Sequence, residues 1–432
     1  MVRLVAAILI LASAHFAGGS PYYVSPAGND GNPGTEARPW KTLGKAAETL
    51  RPGETVFARA GRYAERVIPL GSGSPGNYIT YSVYPGEEAV IDGTGVPVQK
   101  DEGLIDISRR SWIRVTGLRV VDSAEAGILV DGSDHVIVEK CRTERTGSSG
   151  IGVWGSREVI VDGNEVALSC AGPWQEAITI GGTDGFEVRG NHVHNGPPGY
   201  RKEGITAKDG SSHGRIFRNL VHDIRAVGIY VDAWDKLTSD IDVFQNNVHD
   251  IQESDGIALA SEMGGRLERI RVFNNVVWNN RYCGISITSN GTSATHPMRD
   301  IAIVNNTVAG NGRGEWGGGI LVDNRNLASA VIRNNLCVGN LTFSIAAEPV
   351  PGVSLHVDHN LLDRIGDDPA ERPGEKSVVG DPLLADPSTG DFRLRPSSPA
   401  IDAGSSEGAP GDDHAGAPRP RGAGVDIGAF ES

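Results

Sequence analysis

Cysteine is scarce in this chain. There are four in 432 residues, Cys141, Cys170, Cys283 and Cys337, far apart and without a CxxC pair. That spacing argues against a metal knot and a dense disulfide framework, and predicts buried thiols. Basic charge is short as well, with 40 Lys and Arg against 54 Asp and Glu and a net charge of −14. Without a basic stripe the chain has no electrostatic footprint for nucleic acid. No apolar run beyond Ala12 is long enough for a membrane helix. Amphipathic helical patterning near the N-terminus is confined to Thr42–Leu50.

What is abundant is glycine, 58 residues with 24 prolines, and a repeat. From Val159 to Asn360 the chain spells VDGNEV, VRGNHVH, FRNLVH, FQNNVH, FNNVVW, VNNTVA, IRNNLCV and VDHNLL. The shared asparagines, from Asn164 to Asn360, are 27, 28, 27, 29, 31, 29 and 25 residues apart. A period near 28 built of β-branched triplets between Gly, Asn and Asp predicts an all-β fold, a single-stranded right-handed parallel β-helix. About ten coils are expected, each strand stacked about 4.8 Å from its copy in the next coil. The asparagine column then sits inside one turn, its amides satisfying each other and the backbone.

The ends read differently. Arg3, the apolar run Leu4–Ala12 and the small residues Ala12-Ser13-Ala14 predict a secretion signal over residues 1–20, and export to the periplasm or beyond. Residues 21–95 read as an N-terminal cap with the first coils, Thr42–Leu50 being the lid helix. Residues 96–364 are the repeats. Residues 365–432, rich in Pro and Gly, read as a cap strapped over the last coil.

A second repeated strand carries the chemistry. GITAKDG from Gly204, GIYVDAW from Gly228 and GIALASE from Gly256 place apolar residues at their second and fourth positions, facing the core. The third and fifth positions face outward. The fifth positions are Lys208, Asp232 and Ala260, while Glu203 and Asp255 head their strands and Glu262 follows the last. Tyr230 and Trp234 flank Asp232, and Trp174 and Tyr200 occupy neighbouring loops, offering flat faces for sugar rings. Carboxylates beside aromatics in a groove predict a carbohydrate site with Glu203 among its binding residues. Asp232 and Glu262 are 30 residues apart, one coil and a short offset, close enough for a glycosidase pair of either stereochemistry. His194, His222 and His249 share a column, read as stacked polar turn residues rather than a metal stripe. Arg225, Lys202 and His213 are placed on loops near the groove, as solvated charges.

Resemblances add to this. YYVSPAGNDGNPGT, RPWKTLGKA and LRPGETVFARAGRY resemble the opening of secreted β-helix polysaccharide lyases and glycosidases of the pectin-lyase-like superfamily. GIYVDAW followed by DGIALASEMGG resembles the family 120 β-xylosidase-type glycosidases, which implies Asp232 as nucleophile and Glu262 as acid/base, with Asp255 as the fallback acid. EGITAK resembles a strand of the family 9 pectate lyases. That likeness implies β-elimination with Lys208 as base and Ca²⁺ held in part by Glu203 and Asp209, although the Asp pair expected next is Ala226-Val227 here. DPLLADPSTGDFRLRPSSPAIDAG with PRPRGAGVDIGAFES resembles the choice-of-anchor Q segment. The expectation is a secreted, monomeric glycoside hydrolase acting on a polysaccharide or oligosaccharide without a cofactor. A calcium-dependent lyase is second, and a non-catalytic glycan-binding β-helix third.

Overall fold

The computed structural model describes residues 20–289, 297–348, 352–366 and 368–432. The expected leader, residues 1–20, lies almost wholly outside them. Each full coil contributes one strand to each of three parallel sheets. Sheet 1 has thirteen strands, from Tyr22–Val24 to Ser354–Asp358; sheet 2 has thirteen, from Gly61–Tyr63 to Val378–Val379; sheet 3 has ten, from Gly103–Ser108 to Ile345–Ala347. The fold is the right-handed parallel β-helix that the repeat predicts. In-register pairing stacks like on like: Val161, Val188, Ile216, Val243, Val272 and Ile303 follow one another across sheet 1. All six are fully buried, forming one wall of a core that runs the length of the solenoid.

The asparagine column closes the turn between sheets 1 and 2. Asn246 donates from its side chain to Ile216 O at 2.9 Å and to Asn275 Oδ1 at 2.9 Å, and its backbone N–H reaches the same Oδ1 at 3.0 Å. This pattern repeats from Asn164 to Asn335. A shorter ladder, Asn280, Asn311 and Asn340, serves the turn from sheet 2 to sheet 3. The open N-terminal end is covered by the helix Leu43–Thr49. Thr42 caps it through Lys45 N, and the Glu65 carboxylate takes Leu43 N and Gly44 N at 3.0 and 2.9 Å. The four cysteines are free and buried, and burial pushes the Cys141 thiol up to about 12.

The C-terminal segment covers more than the last coil. Its first part does so, with Val378–Val379 pairing to Leu361 and Leu362. The rest runs back along the outside of the solenoid, because amide side chains just ahead of the inner ladder, one glutamine and three asparagines, offer it a docking row. Gln245, Asn274, Asn305 and Asn334 donate from their side chains to Asp413 O, Asp412 O, Asp426 O and Ser405 O at 2.6–2.9 Å. All four have φ of 54–56°, where asparagine is better tolerated than most residues. Beside them Ile427, Ala429, Phe392 and Ala400 bury against Val276, Ala309, Leu336 and Leu361.

Candidate active site

Sheet 3 builds the site. Asp232 pairs with Ala260 and Ala233 with Ser261, and Glu262 N continues the ladder to Ala233 O at 3.0 Å. Glu262 is therefore the diagonal outward neighbour of Asp232, with Cα atoms roughly 8 Å apart from strand spacing and rise. The residues opposite are small, Ala258 and Ala260, so Tyr230 and the Asp232 side chain lean over them. Surrounding groups cover the pair: Asp232 is 5% and Glu262 6% exposed, not on an open sheet surface as the strand pattern alone implied. Tyr230 is buried too. Instead of offering a flat face it donates its hydroxyl to Glu262 Oε1.

Burial sets the electrostatics. Asp232 Oδ1 is buried with no hydrogen-bond partner among the described residues. Burial, and then the Glu262 charge, hold the Asp232 carboxyl well above the usual carboxylate range, with Lys208 opposing. Lys208 bonds Glu176 Oε1 at 2.7 Å. Burial alone would lower its pKa, but Glu176 and Asp232 outweigh it and keep the ammonium charged. Glu176 in turn accepts from Thr179 Oγ1 at 2.8 Å. Glu203, at the head of the strand Ile205–Lys208, is pushed up to about 7 by burial and by Glu176. Asp209 is raised by burial. Carboxyls raised by burial, Asp232, Glu203 and Asp209, thus lie in one site beside a charged lysine.

Other expected residues are placed apart. Asp255 heads its strand, but its carboxylate takes Cys283 N at 2.8 Å and Ser286 Oγ at 2.7 Å, a bridge to the next coil. Arg225 bonds Glu253 at 2.5 Å and Lys202 bonds Pro173 O at 2.6 Å. His213 lies in the sheet 1 strand Ser212–Phe217 beside Asp184, away from the groove. His194, His222 and His249 are in strands of sheet 2, not turns, stacked ring on ring and continued by Trp278. Among the described residues no three His, Cys, Asp or Glu side chains are grouped to hold a metal ion. Trp174 and Tyr200, on the loops leading into strands of sheet 3, and Trp234, directly after one, are 70%, 45% and 48% exposed. Tyr282 and Trp316, which the sequence reading did not single out, are exposed on the corresponding loops of later coils.

Sequence reasoning missed two further residues that lie beside Lys208. Glu176 precedes its strand as Glu203 does in the next coil, and Trp154 holds the fifth strand position, as Lys208 and Asp232 do.

Comparisons with known proteins agree with this architecture. A Bacillus subtilis (strain 168) protein, YwoF, is 29% identical over 442 residues, spanning 88% of this chain and 92% of the relative. Two solved structures share the fold along nearly the whole chain. Pectate lyase Pel9A has a TM-score of 0.53 at 16% identity, covering 95% of this chain and 96% of that one. XylC in complex with xylose has a TM-score of 0.55 at 13% identity, covering 96% and 99%. Residues 22–313 match the family described as the Pel9A-like right-handed β-helix region, and the chain belongs to that family.

Proposed function

We propose that this protein is a glycoside hydrolase whose Asp232–Glu262 pair cleaves a glycan lying along the outer face of sheet 3. The observation that carries the reading is the pair itself, two buried carboxyls on adjacent coils, one held by the Tyr230 hydroxyl and the other unpartnered at Oδ1. Two coupled carboxyls holding one proton supply the acid and the anion that hydrolysis divides between them. In the free site burial favours the proton on Asp232. If Asp232 is the nucleophile, as the glycosidase resemblance implies, the proton passes to Glu262 before attack, and Glu262 then delivers it to the leaving oxygen. In this reading Trp174, Tyr200 and Trp234, exposed on loops that flank sheet 3, stack sugar rings. The XylC structure, which holds xylose, lends the reading a precedent on this fold.

The elimination reading also has a relative on this fold, Pel9A, but its parts do not fit here. A calcium site needs six to eight oxygens, drawn mainly from ionised carboxylates. Around Glu203 and Asp209 the chain offers instead a Lys208 ammonium bonded to Glu176 at 2.7 Å, and among the described residues no three metal-ligating side chains are grouped. A lysine kept charged by its neighbours is a poor proton acceptor. The non-catalytic reading has no use for buried carboxyls held at this cost in desolvation.

The mature protein is to be screened on plant and algal polysaccharides, following reducing ends and near-ultraviolet absorbance together. Reducing ends without new absorbance, unaffected by chelator and abolished in Asp232→Asn, are expected. A chelator-sensitive rise in absorbance on a polyuronate would replace hydrolysis with elimination and return the base role to Lys208.

A further inference from the structure

The outer face of sheet 3 continues past Lys208. Toward the N-terminus it opens into a cleft of about 350 Å³, whose lining includes Asp101, Glu125, Asp131, Ser149, Trp154 and Gln175. The cleft and the reacting site share a wall. In register, Trp154 is followed by Gly181 and then by Lys208. A Cβ at Gly181 would lie 2.3 Å from Cε3 and Cζ3 of Trp154, so the indole lies across the bare backbone of the next coil. Its far side meets Lys208, whose Nζ is 5.4 Å from the ring centroid and 3.5 Å from Gln175 Oε1. Beneath, the Ser149 and Thr179 hydroxyls are 2.8 Å apart and Thr179 donates to Glu176, so one polar chain runs from the cleft to the Lys208 ion pair.

We infer that this cleft is a second sugar subsite of the same groove, with Trp154 as its stacking floor, and that it takes an uncharged sugar ring rather than a uronate. The half-buried Trp154 indole lies over the bare backbone of Gly181, and the site's cation, Lys208, is two coils on in the same column. The charged side chains lining the cleft, Asp101, Glu102, Glu125 and Asp131, are all carboxylates, which accept from sugar hydroxyls and repel a sugar carboxylate, and Lys208 at its edge is paired with Glu176 at 2.7 Å. The neighbouring cations are already engaged: Arg66 bonds Glu102 at 2.6 Å and Asp106 at 3.1 Å, and Lys100 lies 3.9 Å from Asp101. The inference rests on the hydrolase reading for where the glycosidic bond lies, but its test reads binding rather than turnover.

The full-length Asp232→Asn chain is titrated calorimetrically with xylo-, cello- and manno-oligosaccharides of increasing length, and with oligogalacturonides of the same lengths. At least one neutral series is expected to gain affinity once it is long enough to reach the cleft. Trp154→Ala and Gly181→Ala should each remove that gain, about tenfold, and leave the shortest ligand unchanged. The glycine variant keeps the indole and only displaces it, so agreement between the two assigns the effect to ring position. Thermal melts confirm that both remain folded. Oligogalacturonides binding best, no neutral series binding, or two folded variants with the length dependence intact would each overturn the subsite. Length-dependent binding without cleavage of any glycan by the wild-type chain would sink the hydrolase reading and leave the subsite standing.

Discussion

Asn275→Ala is the sharpest test of what holds the solenoid together. The Asn275 side chain takes part in five hydrogen bonds. It accepts from Asn246 N and Nδ2 at 3.0 and 2.9 Å, and donates to Val243 O, Phe273 O and Asn306 Oδ1 at 2.9, 3.1 and 3.0 Å. Alanine removes all five at a site with no solvent access. The Asn246 backbone N–H and the Val243 carbonyl lose these partners, and each buried group left unsatisfied costs about 1–3 kcal/mol. Adding the void left by the amide, the loss comes to about 3–6 kcal/mol. Urea denaturation followed by near-ultraviolet circular dichroism reads it, with Trp278 on the same coil as a local reporter. Asn275→Asp is the companion variant. It keeps the acceptor for Asn246 but turns an oxygen toward Val243 O and Asn306 Oδ1, so it should do no better than alanine at neutral pH. A loss below about 1 kcal/mol for alanine would refute the reasoning, since water or relaxation would then be replacing the ladder.

Asp232→Asn is expected to lower turnover by about a thousandfold or more while the melting temperature at pH 8 holds or rises, because an amide does not resist burial as the unpartnered carboxylate does; calorimetric melts alongside reducing-end assays check both halves. Glu203 titrates at about 7 in the fold against an ordinary value of 4.5, so the folded state binds more protons between these values and its contribution to stability falls as pH rises across that window; Glu203→Gln should flatten this part of the stability–pH profile. Ile427→Ala removes a fully buried side chain from beneath the returning C-terminal segment, at a cost of about 2–4 kcal/mol, and limited proteolysis should then nick residues 400–432 while the coils stay protected.

The fold was legible because a solenoid repeats its instructions. Asparagine every coil, aliphatic triplets in register and a helix within Thr42–Leu50 each state the same answer many times, so errors in any one coil average out. The site was legible only where strand alternation decides direction, which is why Lys208, Asp232 and Glu262 fall in one region of one face. Burial is not legible, since it depends on how loops lie over the sheet: strand alternation turns Asp232 and Tyr230 outward but does not show that they and Glu262 are covered. The pairing of Glu176 with Lys208 and the lean of Trp154 across Gly181 are contacts between coils, set by a neighbour's missing side chain or a loop's path. The C-terminal segment escaped for a similar reason. Its partners, Gln245 to Asn334, lie 71 to 168 residues away in the chain.

That returning segment changes how errors in the coil count would be felt. A bare solenoid has only nearest-neighbour bonds, so a chain that skipped a coil could still stack what remained. Here a single stretch of backbone must meet Gln245, Asn274, Asn305 and Asn334 on four successive coils, at a spacing fixed by the strands between them. A misthreaded coil presents these amides out of step, and the segment from Ser405 to Asp426 finds nowhere to dock. The tail thus acts as a ruler laid along the finished stack, and only a correctly wound chain closes against it.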